Sequence, residues 1–297
     1  MAKHYKVLLL VFLSFIGLYY AFESIEFSEL FRHIMSVNLF KLALAISILM
    51  LSCIIRAKRL KYIISPLDTD ISTHHLFGAT MIGYFGNGIL FFRLGELLKA
   101  FAISQDNDIK TSESFGVVML ERVIDAITVF ILLVFFLPFI PIENQTIQYW
   151  IVAFVVVTFI LVSVLILLRF INWKRIVFSF SFLNKSIKDK IIAIVDKIFK
   201  GLELIFKTQY FLKIIFCTIL IWICYFIMTM WLLESCHIEL SLHKVFIMLL
   251  MGAIIVAVPA LPGGLGTYEA GITYTLTLLF FVSKDLSLTY AIVSHAS

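Results

Sequence analysis

Apolar runs recur along the chain at 5–22, 39–56, 115–137, 149–168, 210–233, 245–261 and 266–282, each ended by a short polar or basic stretch. About 20 apolar residues in helical form cross a hydrocarbon core of roughly 30 Å. There the backbone must satisfy its own hydrogen bonds. The pattern predicts an all-α, polytopic integral membrane bundle of about seven to eight spans. Seven spans leave little chain for a soluble domain, so residues 1–297 read as a single integral membrane domain.

One polar-flanked stretch, about 74–92, does not fit a plain span. Gly78, Gly83, Gly86, Asn87 and Gly88 crowd into eleven positions, which suits a broken or tightly packed re-entrant helix; an ordinary helix with small-residue packing faces is the alternative. Charge parity favours the first reading. Loops rich in Lys and Arg stay cytoplasmic, which places Arg56-Ala57-Lys58-Arg59-Leu60-Lys61 and the stretch 169–213, with ten Lys/Arg, inside. The 138–148 loop has no Lys or Arg and 23–38 has one Arg, so both belong outside. These assignments agree only if 74–92 enters and leaves on the cytoplasmic side. The first run has a basic start and no small-x-small cleavage site, so it reads as a retained helix with a cytoplasmic N-terminus.

Between 185 and 207 the period changes. Ile187, Ile191, Ile194, Ile198, Leu202 and Ile205 fall three to four apart with lysines elsewhere, predicting a basic amphipathic helix in the cytoplasmic headgroup layer, as an orientation anchor or a regulatory element. Residues 286–297 are too few to span, so they lie at the interface or begin a helix that the native chain continues past Ser297.

Composition sharpens the class: 62% hydrophobic, 14% charged, mean hydropathy +1.05. Soluble chains run near half apolar and a quarter charged. The net charge of +5 sits beside spans, so it reads as membrane orientation and not as nucleic-acid binding. Cys53, Cys217, Cys224 and Cys236 have no metal-ligand spacing. His74-His75 lacks a third ligand, and no catalytic triad, zinc or redox pattern is visible, so no metal, cofactor or catalytic residue is expected.

Three polar constellations interrupt this apolar chain, and ionisable groups at membrane depth usually serve a ligand. In the first, Asn87 to Ala100, Arg93 offers a fork of donors suited to phosphate or carboxylate. Gly95 permits close backbone approach, and Glu96, three residues on from Arg93, can share its helical face and steady the guanidinium. An anion site and a purely structural Arg–Glu pair are both compatible. In the second, Glu121 and Asp125 lie four apart on one side of a helix, with Arg122 roughly a quarter turn away. Acid–base catalysis, a bound cation, a proton relay and a salt bridge to Arg93 all remain open there. The third is Pro262-Gly263-Gly264-Leu265-Gly266-Thr267-Tyr268-Glu269. It ends one helix and begins another whose free N–H groups attract anions, with Glu269 in the first turn as dipole partner or counter-charge. The first and third constellations echo one another, as corresponding broken helices do at transporter sites near the midplane.

In this order the three resemble the lysylphosphatidylglycerol synthase transmembrane-region family of flippase-like membrane proteins. Its pattern Asn-x-x-Leu-Pro-x-Arg-x-Gly-Glu, Glu-Arg-x-x-Asp, Pro-Gly-Gly-x-Gly-x-x-Glu falls on Asn87, Leu90, Arg93, Gly95 and Glu96; on Glu121, Arg122 and Asp125; and on Pro262, Gly263, Gly264, Gly266 and Glu269. Phe91 stands where the family usually has proline, and Lys99 where arginine is common. The resemblance implies a helical bundle with re-entrant elements in the bacterial cytoplasmic (inner) membrane. It implies movement of a phospholipid or polyprenyl-phosphate-linked lipid between leaflets, with these residues, Leu90 excepted, about the lipid or anion. No room exists for the aminoacyltransferase domain of the best-known members, so no synthesis of lysyl lipid is expected. The alternatives are a non-catalytic partner of a cell-envelope glycosyltransferase and a membrane enzyme acting on a lipid-linked substrate.

Overall fold

The fold is that of a computed structural model, which describes residues 2–23, 25–67, 70–90, 94–105, 107–136, 208–257 and 261–297, with positions 139, 149, 152, 153, 156, 160, 184, 188, 189 and 192 between them. Arg93 and, apart from a few of those positions, the 138–148 loop, the apolar run 149–168 and the amphipathic helix 185–207 lie outside the described residues. Among the described residues there are ten α-helices: α1 (Ala2–Phe22), α2 (Phe27–Met35), α3 (Leu39–Ile64), α4 (Thr73–Ile89), α5 (Gly95–Ser104), α6 (Thr111–Phe136), α7 (Phe211–Ser235), α8 (Leu242–Ala257), α9 (Thr267–Phe280) and α10 (Lys284–Ala296). The expected all-α bundle is what forms.

Helices α3 and α7 form the frame. With the turn after α3, they are the two described helices long and apolar enough to cross a membrane by length and composition. They run antiparallel. At one end the Asn38 amide donates to the Ser235 carbonyl (2.8 Å) and Lys41 Nζ to Glu234 (2.7 Å); at the other Thr208 Oγ1 donates to the Tyr62 carbonyl (3.1 Å). The second end carries Lys58, Lys61 and Lys213 and is called the basic end below. The start of α3 is set by Asn38, whose side chain accepts from the Lys41 amide, and that of α4 by Ser72, which accepts from the His75 amide. Each satisfies a backbone donor that a helix start leaves unpaired.

Two helical hairpins are inserted into this frame. The first is α4 and α5, based at the basic end because only the short segment from Ser65 separates α3 from α4. Its arms touch backbone to backbone. A Cβ on Gly86 would lie 2.8 Å from the Gly95 Cα, and one on Gly95 would overlap the Gly83 carbonyl. The re-entrant segment is therefore longer than 74–92: the stretch to Ile89 is only its inward arm, and α5 makes the return.

The second hairpin is α8 and α9, with Gly252 facing Ile272 and Gly271 facing Ile255. Its base follows the far end of α7, opposite the basic end. Helices α8 and α9 have 16 and 14 residues, about 24 and 21 Å long at 1.5 Å per residue. Gly263 (φ +71°), Gly264 (+87°) and Gly266 (+83°) turn the chain back between them, a backbone that side-chain-bearing residues rarely adopt. The two tips meet, since a Cβ on Gly263 would stand 3.5 Å from the Gly88 carbonyl oxygen. The hairpins thus enter from opposite ends and touch inside the bundle.

Helix α10 neither lies apart at an interface nor stands alone. Leu288, Tyr290 and Ala291 are buried, and the helix runs back along α9 until its last turn reaches the second tip. Helix α1 crosses that tip at small residues: a Cβ on Gly17 would lie 2.8 Å from the Gly266 carbonyl carbon.

Candidate functional site

Helices α3, α5 and α6 place a set of charges in the bundle interior, most of them buried. Glu121 and Asp125 project from one side of α6, as their four-residue spacing requires. Glu121 is fully buried. Its Oε1 accepts from Arg56 Nη1 (2.6 Å) and Arg59 Nη2 (3.2 Å), and its Oε2 from Lys99 Nζ (2.6 Å). Asp125 accepts from Arg56 Nη1 (2.8 Å) and pairs with Arg59 Nη1 (2.8 Å). Arg56 also donates from Nη2 to the Tyr225 hydroxyl (2.8 Å) on α7. Arg59 donates from Nη1 to Thr218 Oγ1 (3.2 Å) on the same helix.

The edge of this cluster is looser. Arg122 is one-third exposed, against none for Glu121 and Arg59, and its guanidinium lies 3.6 Å from Glu121, 3.7 Å from Asp125 and 3.5 Å from Glu96. Glu96 Oε1 accepts from Asn87 Nδ2 (3.2 Å), while its Oε2 and Arg122 Nε face one another with no hydrogen bond. Among the described residues, four cations (Arg56, Arg59, Lys99, Arg122) meet three carboxylates (Glu96, Glu121, Asp125), an excess of positive charge.

The structure thus brings Asn87, Gly95, Glu96, Glu121, Arg122 and Asp125 together, and Gly95 lets α5 approach α4 closely enough to present Lys99. One expectation changes. Arg122 does not point away from the acidic pair, because its long side chain folds back toward both. Glu96 is engaged by Asn87 and Arg122; its expected partner Arg93 lies outside the described residues.

Pro262, Gly263, Gly264, Gly266 and Glu269 form the other group, joined to the first through the contact of Gly263 with Gly88. The helix start here is filled from within: Glu269 Oε2 accepts the Gly266 amide (2.7 Å), so this carboxylate takes a donor that was expected to meet an anion. Glu269 Oε1 lies 2.5 Å from His295 Nδ1, and His295 Nε2 lies 2.8 Å from the Gly263 carbonyl oxygen.

Arg56, Arg59, Lys99, Tyr225 and His295 are members that reading the sequence did not assign to the site. A signal existed for the arginines, which alternate with Lys58 and Lys61 so that Arg56 and Arg59 share the buried side of α3. No group of metal-binding side chains is found among the described residues.

Beside the cluster, a groove of about 630 Å³ runs between α6 and α7, lined by Ile124, Thr128, Ile131, Ile219, Trp222 and Phe226 among others. Thr218, which accepts from Arg59, is also on its wall. The polar cluster and this apolar groove are therefore contiguous.

No curated protein and no solved structure matches the chain. The family model described as lysylphosphatidylglycerol synthase TM region matches residues 7–297. With that match over essentially its whole length, the chain belongs to the lysylphosphatidylglycerol synthase TM-region family, integral membrane proteins whose function concerns membrane lipid.

Proposed function

We propose that this protein is a flippase-like translocator that moves a phospholipid or a polyprenyl-phosphate-linked lipid between the leaflets of the bacterial cytoplasmic membrane, with its basic end and N-terminus in the cytoplasm. The observation that carries this reading is the interior cluster with more cations than carboxylates, set against an apolar groove. A phosphate with an apolar tail matches both halves. An unpaired buried charge is costly, and a phosphate oxygen accepting from Arg122 balances the excess. Arg122 is the member with room to receive it, being one-third exposed while Arg56, Arg59 and Lys99 are buried. The two hairpins, entering from opposite ends and meeting at glycine-rich tips, supply a seam about which access can alternate.

The chemistry favours a non-catalytic role. Both oxygens of Glu121 are occupied by Arg and Lys donors, which leaves neither free to exchange a proton with a substrate. Membrane lipids are the partners that this site fits; a docked glycosyltransferase or lipid-modifying enzyme is compatible with it, and nucleic acid is not.

The test is mass spectrometry of lipid retained by protein purified in mild detergent, together with leaflet exchange of a labelled lipid in proteoliposomes, for wild type and Arg122→Ala matched for folding. Enrichment of one phosphate-bearing lipid and its exchange in wild type, both reduced in the variant, support the reading. Equal retention and equal exchange overturn it.

A further inference from the structure

The second hairpin tip is held by a side chain that can do so only while it carries a proton. His295, in the last turn of α10, presents both ring nitrogens to acceptors: Nδ1 to Glu269 Oε1 at 2.5 Å and Nε2 to the Gly263 carbonyl at 2.8 Å. A neutral imidazole has one N–H and one lone pair. Both contacts are hydrogen bonds only when the His–Glu pair holds one proton beyond the neutral-ring, ionised-carboxylate state. It sits on the ring as imidazolium or on Glu269 with the ring donating from Nε2. Without it, the remaining ring proton stays on Nδ1 beside the carboxylate, and the Nε2 lone pair faces the Gly263 carbonyl oxygen. That contact becomes repulsive, and the carbonyl it releases belongs to the turn that touches Gly88 of the other hairpin.

We propose that the Glu269–His295 pair is a single-proton binding site that latches the tip of the second hairpin: proton bound, the tips are held together; proton lost, the tip is freed. Glu269 is suited to this because its other oxygen is committed to the Gly266 amide at 2.7 Å, so the carboxylate is fixed and only the histidine side responds. Among the described residues, the groups that face His295 are Glu269 and the Tyr268 ring, 4.8 Å away, from α9, and the Gly263 carbonyl from the tip. Tyr268 is itself bonded to Ser294 (3.1 Å) and stays with α10. The first hairpin approaches this turn through the backbone of Gly88. Coupling of the proton to lipid movement rests on the translocation reading above; the latch itself does not.

The test is continuous-wave EPR on full-length protein in nanodiscs, with spin labels at Ile89→Cys and Leu265→Cys, positions next to the tip contact that are 56% and 51% exposed. The four native cysteines are changed to Ala in this background. Dipolar broadening is read from pH 5.5 to 9. Wild type is expected to show strong broadening at low pH that decays with a one-proton titration. Glu269→Gln is expected to stay broadened throughout. Its amide nitrogen donates to Nδ1 of a neutral ring, its oxygen still accepts from Gly266, and Nε2–H still reaches Gly263. His295→Leu is expected to be narrow throughout. A wild-type signal that does not change with pH, or a Glu269→Gln signal that titrates like wild type, overturns the latch. If His295→Leu does not fold, wild type and Glu269→Gln decide alone. The readout needs no lipid transport, so failure of the latch and failure of the translocation reading are separate results.

Discussion

Replacing Glu121 by Gln is the sharpest probe of how the interior is held together. The carboxylate is fully buried and receives Arg56, Arg59 and Lys99 at 2.6, 3.2 and 2.6 Å. The amide keeps the shape and one acceptor, but turns an N–H₂ group toward the cations and deletes a negative charge at a position with no exposed surface. Removing one partner of a buried ion pair costs about 3–5 kcal/mol, which at about 1.4 kcal/mol per tenfold lowers the folded-to-unfolded ratio by roughly 100- to 4,000-fold. The companion change is Lys99→Met, whose ammonium is as deeply buried and spends itself on Glu121 alone in the described contacts. In the double variant Glu121→Gln/Lys99→Met, one cation leaves with the carboxylate, and more than half of the lost stability is expected to return. Unfolding in mixed micelles of increasing SDS mole fraction, followed by circular dichroism, measures all four proteins of the cycle. A loss under about 1 kcal/mol for Glu121→Gln, or a double variant no more stable than the single, refutes the assigned network.

Three further outcomes follow from the same geometry. Gly95→Ala places a methyl on the Gly83 carbonyl and is expected to cost about 3 kcal/mol or more, whereas Gly78→Ala, with nothing within 4 Å, is expected to be neutral or to gain up to about 1 kcal/mol; the same SDS titration separates them. All four thiols are buried, and burial pushes that of Cys236, just past the end of α7, up to about 11. A raised thiol pKa leaves little thiolate at pH 7.5, so wild type in detergent is expected to react with maleimide only on unfolding, as followed by intact-mass measurement. Single cysteines at Asp108, between the first hairpin and α6, and at Glu239, between α7 and α8, occupy opposite ends of the bundle. An impermeant reagent added outside cells is expected to label Glu239→Cys and spare Asp108→Cys, and the reverse pattern would sink the proposed orientation.

How much of this was legible beforehand depended on whether the partner lay nearby in sequence. Glu121 and Asp125 share a helix face because they are four apart, and the turn at Pro262–Gly266 is written in three glycines that admit positive φ. Arg56 and Arg59 carried two meanings at once. Basic residues near a span's end report orientation, and only the alternation of buried Arg with outward Lys separates that role from ion pairing. Lys99 registered as a departure from a family pattern, without a partner, because its partner sits 22 positions on. His295 has no periodic or motif signal at all, and its bond to Glu269 exists only because α10 folds back along α9.

The ion pairs of the interior also set a condition on biogenesis. Arg56 and Glu121 are 65 positions apart, so at roughly 5–20 residues per second of synthesis, α3 leaves the ribosome roughly 3–13 s before its counter-charge. An arginine at the centre of an inserting helix is disfavoured by about 2.5–3.5 kcal/mol; Arg56 and Arg59 lie in the last third of α3, where the cost is smaller but both side chains still face the buried side. A helix committed to the bilayer alone would hold both uncompensated through that interval. The pairing of both arginines is therefore complete only once α6, and the hairpin that brings Lys99, have followed α3 into place.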